Sequence, residues 1–374
     1  MRILVLGKYY PPYYGGIETL TRSLCEGFAR LGGDVTCVVA NDQPQTVIES
    51  LHGVRVERCA RFGSALSVPV CPRYLTAARR PVDILHLHFP NPLADLAMCF
   101  GRRTTPLVVT YHSDIVRQKA AMRLYAPLMQ WLLRRAQRIT VATPPQLSFS
   151  DPLVPHRDRC EILPFGLDLT RFNQPATRVP AVEEARAAAG GRPILLNIGR
   201  LVGYKGQRYL LEALRFTDSV AWLVGTGPLR GELERVARVA KVTDRVRFWG
   251  DVDDTVLPAL LHACDIFVLP SITPNEAFGL VQVEAMACGK PVISCQISSG
   301  VPFVNQDNLT GIIVPPSDAN ALAQAIHQIT SDPALARRLG EGGRRRAHME
   351  FSLDGMVGRY WKLFERLTRG REGR

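Results

Sequence analysis

The sequence predicts an α/β protein built from two doubly wound, Rossmann-like domains facing a cleft, and three observations lead there. At 374 residues the chain exceeds one ordinary core, so two domains of similar size are expected. Short apolar runs rich in β-branched residues alternate with amphipathic stretches, the pattern of parallel strands covered on both faces by helices. The alternation breaks once, from Glu161 to Pro193, where Pro, Ala and Gly crowd together as in a linker. The expected divisions are 1–175, 176–350 and a closing helix in 351–374 that packs back on the first domain.

Strands are expected in the first half at Ile3–Leu6, Val35–Val39, Val54–Val56, Ile84–His88, Leu107–Tyr111 and Ile139–Ala142, with helices over Glu18–Leu31 and Pro92–Phe100. A second series follows at Ile194–Ile198, Ala221–Val224, Val246–Trp249, Ile266–Leu269, Pro291–Ser294 and Gly311–Val314. Helical tracts then run from Asn320 to His348. Met356, Tyr360, Leu363 and Leu367 make Phe351–Leu367 amphipathic.

A hydrophobic content of 46% with 21% charged residues is ordinary for a globular protein, and no apolar run has the length of a bilayer span. Met1–Gly7 reads as a buried strand and not as a secretory signal, so a cytoplasmic location is expected. Nine cysteines lie without close pairs or ligand spacing, which predicts reduced, mostly core thiols and no metal site. Of the net charge of +12, residues 1–175 carry 21 Lys+Arg against 13 Asp+Glu, an excess of 8. Arg117, Lys119, Arg123, Arg134, Arg135 and Arg138 flank Leu124, Leu128, Trp131 and Leu132 with no acidic residue between Asp114 and Asp151. This is a domain helix with a solvated basic rim or a contact for an anionic membrane surface. No nucleic-acid motif accompanies the arginines, and no nucleic-acid partner is expected.

The most informative segment is Ser271–Pro291. Glu276 lies in a loop closed by Gly279, and Leu280–Ala287 has the composition and spacing of a helix. A helix start near Phe278, Gly279 and Leu280 offers unpaired N–H groups to a phosphate, and the glycine admits close approach. Glu276 before it and Glu284 behind it can accept hydrogen bonds from hydroxyls, a sugar at one and a ribose at the other. Were the whole step from Glu276 to Glu284 helical it would span about 12 Å. Gly199, Arg200 and Lys205 follow a strand, and the two cations can neutralise a diphosphate. Gly15 and Gly16 stand between the first strand and first helix without the dinucleotide G-x-G-x-x-G order, which argues against a nicotinamide dehydrogenase. Tyr9, Pro11, Pro12, Tyr13 and Tyr14 precede them as a stiff aromatic loop. His112 ends a strand and should face the cleft. His86 and His88 alternate on another strand without a third ligand, and read as core or cleft wall.

Together Glu276–Glu284, Gly15–Gly16, His112, Gly199–Arg200, Lys205–Gly206 and Pro164–Asp168 resemble the retaining glycosyltransferases of GT-B fold, family 4. Val109–Lys119, Ile293–Gly300 and Asn305–Asp307 resemble the bacterial mannosyltransferases that build O-antigen on a lipid carrier. The resemblance implies a nucleotide-sugar donor, GDP-mannose, and a lipid-linked saccharide acceptor, with no cofactor and no metal. It implies that Gly16, Arg200 and Lys205 meet the diphosphate, with Phe278, Gly279 and Leu280 as backbone donors. Glu284 would hold the ribose, Glu276 the transferred sugar, and His112 would line the reaction centre. The base would lie near Trp249 and Val252. A transferase using GDP-rhamnose or a UDP-hexose is the rival, and a non-catalytic nucleotide-sugar binding protein the rival of another class. Val301, Pro302 and Phe303 after Ser299–Gly300, and Thr143–Pro145, depart from the family's usual pattern.

Overall fold

The computed structural model describes residues 1–13, 15–65, 68–114, 119–173 and 178–372. It divides into two compact units, Met1–Gly166 with Leu353–Arg374, and Leu167–Ser352. The first division thus falls earlier than position 175.

The first unit holds β1 (Arg2–Leu6), β2 (Asp34–Ala40), β3 (Val47–Leu51), β4 (Val54–Cys59), β5 (Ser64–Ala65), β6 (Val68–Pro69), β7 (Ile84–Phe89), β8 (Leu107–Tyr111), β9 (Arg138–Val141) and β10 (Cys160–Ile162). Eight form one sheet in the order β10-β9-β8-β7-β1-β2-β4-β3, parallel except for the edge pair β3–β4. The strands β1, β7 and β8 are almost wholly buried, as their unbroken apolar runs require. Alternate residues feed two cores, Leu4, Leu85, Leu107 and Val109 on one face and Ile3, Val5, Ile84 and Val108 on the other. The second face is covered by the helices Gly16–Arg30 and Leu353–Glu372, the latter inserting Met356, Tyr360, Leu363 and Phe364. Helix spacing explains the close fit: a Cβ at Gly27 would lie 2.4 Å from Val357 Cγ2.

The second unit holds β11 (Ile194–Ile198), β12 (Val220–Val224), β13 (Val246–Gly250), β14 (Ile266–Leu269), β15 (Val292–Cys295) and β16 (Gly311–Val314). All are parallel, in the order β13-β12-β11-β14-β15-β16. The expected linker is largely structured. Glu161 lies in β10, and Pro180–Ala188 is a helix that buries Val182 and Ala185. A proline at its first position and a short alanine-rich body imitate linker composition while suiting a helix start. The unexpected antiparallel strand β3 has a reason in Arg58 on β4, whose Nε donates to Glu49 on β3 at 2.6 Å.

The basic stretch contains the helix Lys119–Arg135, with Pro127 inside it. Met129, Leu132 and Leu133 are buried. Arg117 lies outside the described residues, as do Tyr14 and the side chains of Lys119, Arg123 and Leu124. All nine cysteines are free, six of them buried. Among the described residues no helix is long and apolar enough to cross a membrane.

Candidate active site

In the second unit the expected residues gather where the strands end. Gly199 follows β11 and donates to Val224 O at 2.9 Å, while Gly225 after β12 donates to Gly250 O at 2.7 Å. These bonds align the carboxyl ends of β11, β12 and β13, the edge at which open α/β sheets bind ligands. Gly206 has φ +67°, and a Cβ there would lie 2.0 Å from Pro270 O. The loop after β11 can therefore lie against the loop after β14 only with glycine at this point. Ile272 N–H donates to Tyr204 O at 2.9 Å and holds the two loops together.

That contact brings Lys205 and Glu276 into an ion pair, Nζ to Oε2 2.5 Å, with side chains 12% and 11% exposed. Ser271 Oγ, fully buried, donates to the same Oε2 at 3.0 Å. One oxygen thus takes both protein bonds, which leaves Oε1 for a ligand hydroxyl. Lys205 also folds against Gly199, whose Cβ, were there one, would be 3.2 Å from Nζ. Arg200 is exposed and makes no ion pair with the described residues, and its carbonyl accepts from buried Gln207 at 3.1 Å.

The helix Leu280–Ala287 starts where the sequence places it, at Gly279 with φ +69°. The Glu276–Gly279 step is a loop, so the span between the two carboxylates is not that of a continuous helix. Phe278 is buried edge-on to Phe351, so its side chain belongs to the core. Glu284 is bonded by Arg171 at 3.4 Å, and Arg171 bonds Asp254 at 2.9 Å. Burial outweighs Arg171 and raises the Glu284 carboxyl to about 7. Trp249 lies in edge strand β13, under the Arg247 guanidinium at 4.3 Å and edge-on to Trp222. Val252 follows, half-buried.

In the first unit, Gly15 caps and Gly16 opens the helix Gly16–Arg30. Among the described residues, its chain neighbours and its own helix backbone apart, no atom lies within 4 Å of where a Gly16 Cβ would stand, so packing against these residues does not demand glycine there. The aromatic loop before it is tied by Arg58, which donates to Tyr10 O at 3.1 Å and to Pro11 O. His112 follows β8, half-buried, its backbone carbonyl accepting from Gln146 Nε2 at 3.1 Å. Its ring lies between those of His88 and Phe165, centroids 5.2 and 5.5 Å away. Burial lowers its pKa to about 4, so the ring is neutral at pH 7.

Sequence reasoning missed Ser271, Arg171 and Arg58. Ser271 stood in the quoted segment, and its place at the end of β14 was a usable signal. Arg171 fell in the expected linker and Arg58 on a strand, with nothing local to mark either.

Residues 15–166 match the family of glycosyl transferase 4-like domains and residues 180–346 that of glycosyl transferases group 1. Sucrose-phosphate synthase from Thermosynechococcus elongatus superposes with TM-score 0.75 at 25% identity over 99% of both chains. Anabaena Alr3699/HepE in complex with UDP shares the fold with TM-score 0.79 at 20% identity, over 98% of this chain and 100% of that one. The fold is therefore the two-domain GT-B architecture of glycosyltransferases. Relatives extend over nearly the whole chain. O-antigen chain mannosyltransferase C of Escherichia coli is 32% identical over 98% of this chain and 99% of its own length. D-rhamnosyltransferase WbpZ of Pseudomonas aeruginosa is 35% identical over 94% and 92%. The chain belongs to the group 1, family 4-like glycosyltransferases and is a glycosyltransferase.

Proposed function

We propose that this glycosyltransferase moves mannose from GDP-mannose, with retained anomeric configuration, to a lipid-linked glycan acceptor in surface polysaccharide (O-antigen) assembly. The observation that carries the mannosyl reading is the 32% identity with O-antigen chain mannosyltransferase C along 98% of the chain. The Lys205–Glu276–Ser271 cluster at the strand ends supports a nucleotide-sugar site. The second unit takes the donor and the first the acceptor, at the cytoplasmic face of the membrane.

In this reading the sugar bonds Glu276 Oε1, and the diphosphate lies on Arg200, Lys205 and the helix start at Phe278, Gly279 and Leu280. An ammonium has three N–H donors, and Glu276 Oε2 occupies one, so Lys205 keeps two for phosphate oxygens. The ribose hydroxyls displace the long Arg171 contact from Glu284, and the base rests beside Trp249 and Val252. His112 bonds a sugar hydroxyl. Fixed positive charge stabilises the departing diphosphate, which takes the acceptor's proton as the new bond forms on the same face. No metal is assigned a step.

The rival donor is GDP-rhamnose, favoured by the 35% identity with a D-rhamnosyltransferase. A site that hydrogen-bonds every mannose hydroxyl leaves a polar group unpaired with a deoxy sugar, and so discriminates between them. Purified protein with a lipid-linked acceptor is incubated with GDP-mannose, GDP-rhamnose and UDP-glucose in turn. Fastest transfer from GDP-mannose is expected, and faster transfer from GDP-rhamnose selects the rival.

A further inference from the structure

The first unit gathers three imidazoles in one column, two of them buried. His86 and His88 point to the same face of β7, 0% and 1% exposed, their ring centroids 4.6 Å apart. His86 Nε2 is 2.8 Å from Thr110 Oγ1. Thr110 and Thr140 each lie 2.9 Å from the hydroxyl of Tyr360, on the closing helix. At the other end His88 Nδ1 is 3.0 Å from His112 Nε2. The polar contact that His88 makes is with His112, a contact that leucine at this position could not make.

A neutral imidazole has one N–H, so the 3.0 Å contact has two possible arrangements. In one, His112 Nε2–H donates and His88 carries its own proton on Nε2. That atom is fully buried and has no partner among the described residues. In the other, His88 Nδ1–H donates, and the bare Nε2 is a buried acceptor. An orphaned buried N–H is rarer than an under-satisfied acceptor. From this geometry we infer that His88 is a positioning residue which donates Nδ1–H to His112 Nε2 and so fixes the His112 proton on Nδ1, as a donor to a ligand oxygen. The column from Tyr360 through Thr110 to His86 packs against the His88 ring, the two imidazole planes tilted by 44°. Burial keeps all three rings uncharged at pH 7, which preserves the one-donor count.

The inference rests on the reading of His112 as a group at the reacting sugar, and its test has an independent readout. Nitrogen-15 NMR of histidine-labelled full-length protein at pH 7 reports the tautomer directly. The proton on Nδ1 of His112 is expected, and the proton on Nε2 overturns the inference. In variants, an Asn amide nitrogen takes the place of Nδ1 and a Gln amide that of Nε2. His88→Asn is expected to keep transfer within about 3-fold, and His88→Phe and His88→Gln to lower kcat about 10-fold or more with little change in donor KM. Folded His88→Phe with unchanged kcat and unchanged His112 tautomer overturns it, and should that variant not fold, the Asn and Gln pair decides, equal rates counting against. His112→Ala tests the underlying reading separately: full transfer in that variant removes His112 from the site, whatever the tautomer.

Discussion

Replacing Lys205 by Met, Glu276 by Gln, and both together measures how far the cluster in the second unit acts as one device. Two unit charges 2.5 Å apart attract by roughly 7 kcal/mol at an effective dielectric constant of about 20. Both side chains are close to nine-tenths buried, and desolvation offsets most of that attraction. Removing Lys205 leaves the Glu276 charge with only the Ser271 bond, and neutralising Glu276 leaves the Lys205 charge beside an amide and the Tyr204 ring, so each single substitution should destabilise by about 3 kcal/mol. The double variant has no stranded charge and should fall short of the sum by about 2 kcal/mol. Urea unfolding followed by tryptophan fluorescence is the assay, since Trp222 and Trp249 both lie in this unit. A coupling below about 0.5 kcal/mol would refute the reasoning. In parallel, Glu276→Ala and Lys205→Ala should each lower kcat/KM about 100-fold or more. Full transfer by Glu276→Ala would overturn the assignment of Glu276 to the site.

Three further outcomes are expected. Gly27→Ala places a methyl 2.4 Å from the Val357 side chain and should destabilise by about 1–3 kcal/mol, with Val357→Ala restoring part of the loss in thermal melts. The raised Glu284 carboxyl binds a proton more tightly folded than unfolded, so its contribution to stability is lost as pH rises from about 4.5 to about 7. Wild type should therefore lose up to about 3 kcal/mol against Glu284→Gln across that window, and parallel pH profiles of the two urea midpoints would contradict it. Vesicle flotation should show binding that needs anionic lipid and weakens with salt, if the basic segment 117–138 meets a membrane. Binding indifferent to lipid charge rejects that contact.

The parallel core was legible because strands buried on both faces are unbroken apolar runs: every expected strand of the second unit is present, and β1, β7 and β8 likewise. The start of Leu280–Ala287 was legible because Gly279 combines a positive φ with a helical run behind it. The edge strand β3 was not, since its stability comes from a partner strand and the Arg58–Glu49 bond, neither of which a local pattern carries. The same holds at the site. Glu276, Lys205 and Arg200 stand out by residue type and position, and the structure brings the first two together, whereas Ser271 and Arg171 acquire meaning only from what they touch. His86 and His88 read as core or wall. They are core by burial, and the contact with His112 that gives them a further part crosses from β7 to the end of β8, invisible along either strand.

The stereochemistry of the product tests the central claim most directly. Transfer from GDP-mannose, run with excess chelator, should yield an α-linked mannoside by NMR of the purified product, the configuration of the donor retained. A β-linked product would contradict the retaining mechanism, and loss of transfer on chelation would contradict the account in which Arg200, Lys205 and the helix start at Phe278–Leu280 neutralise the leaving diphosphate without a metal.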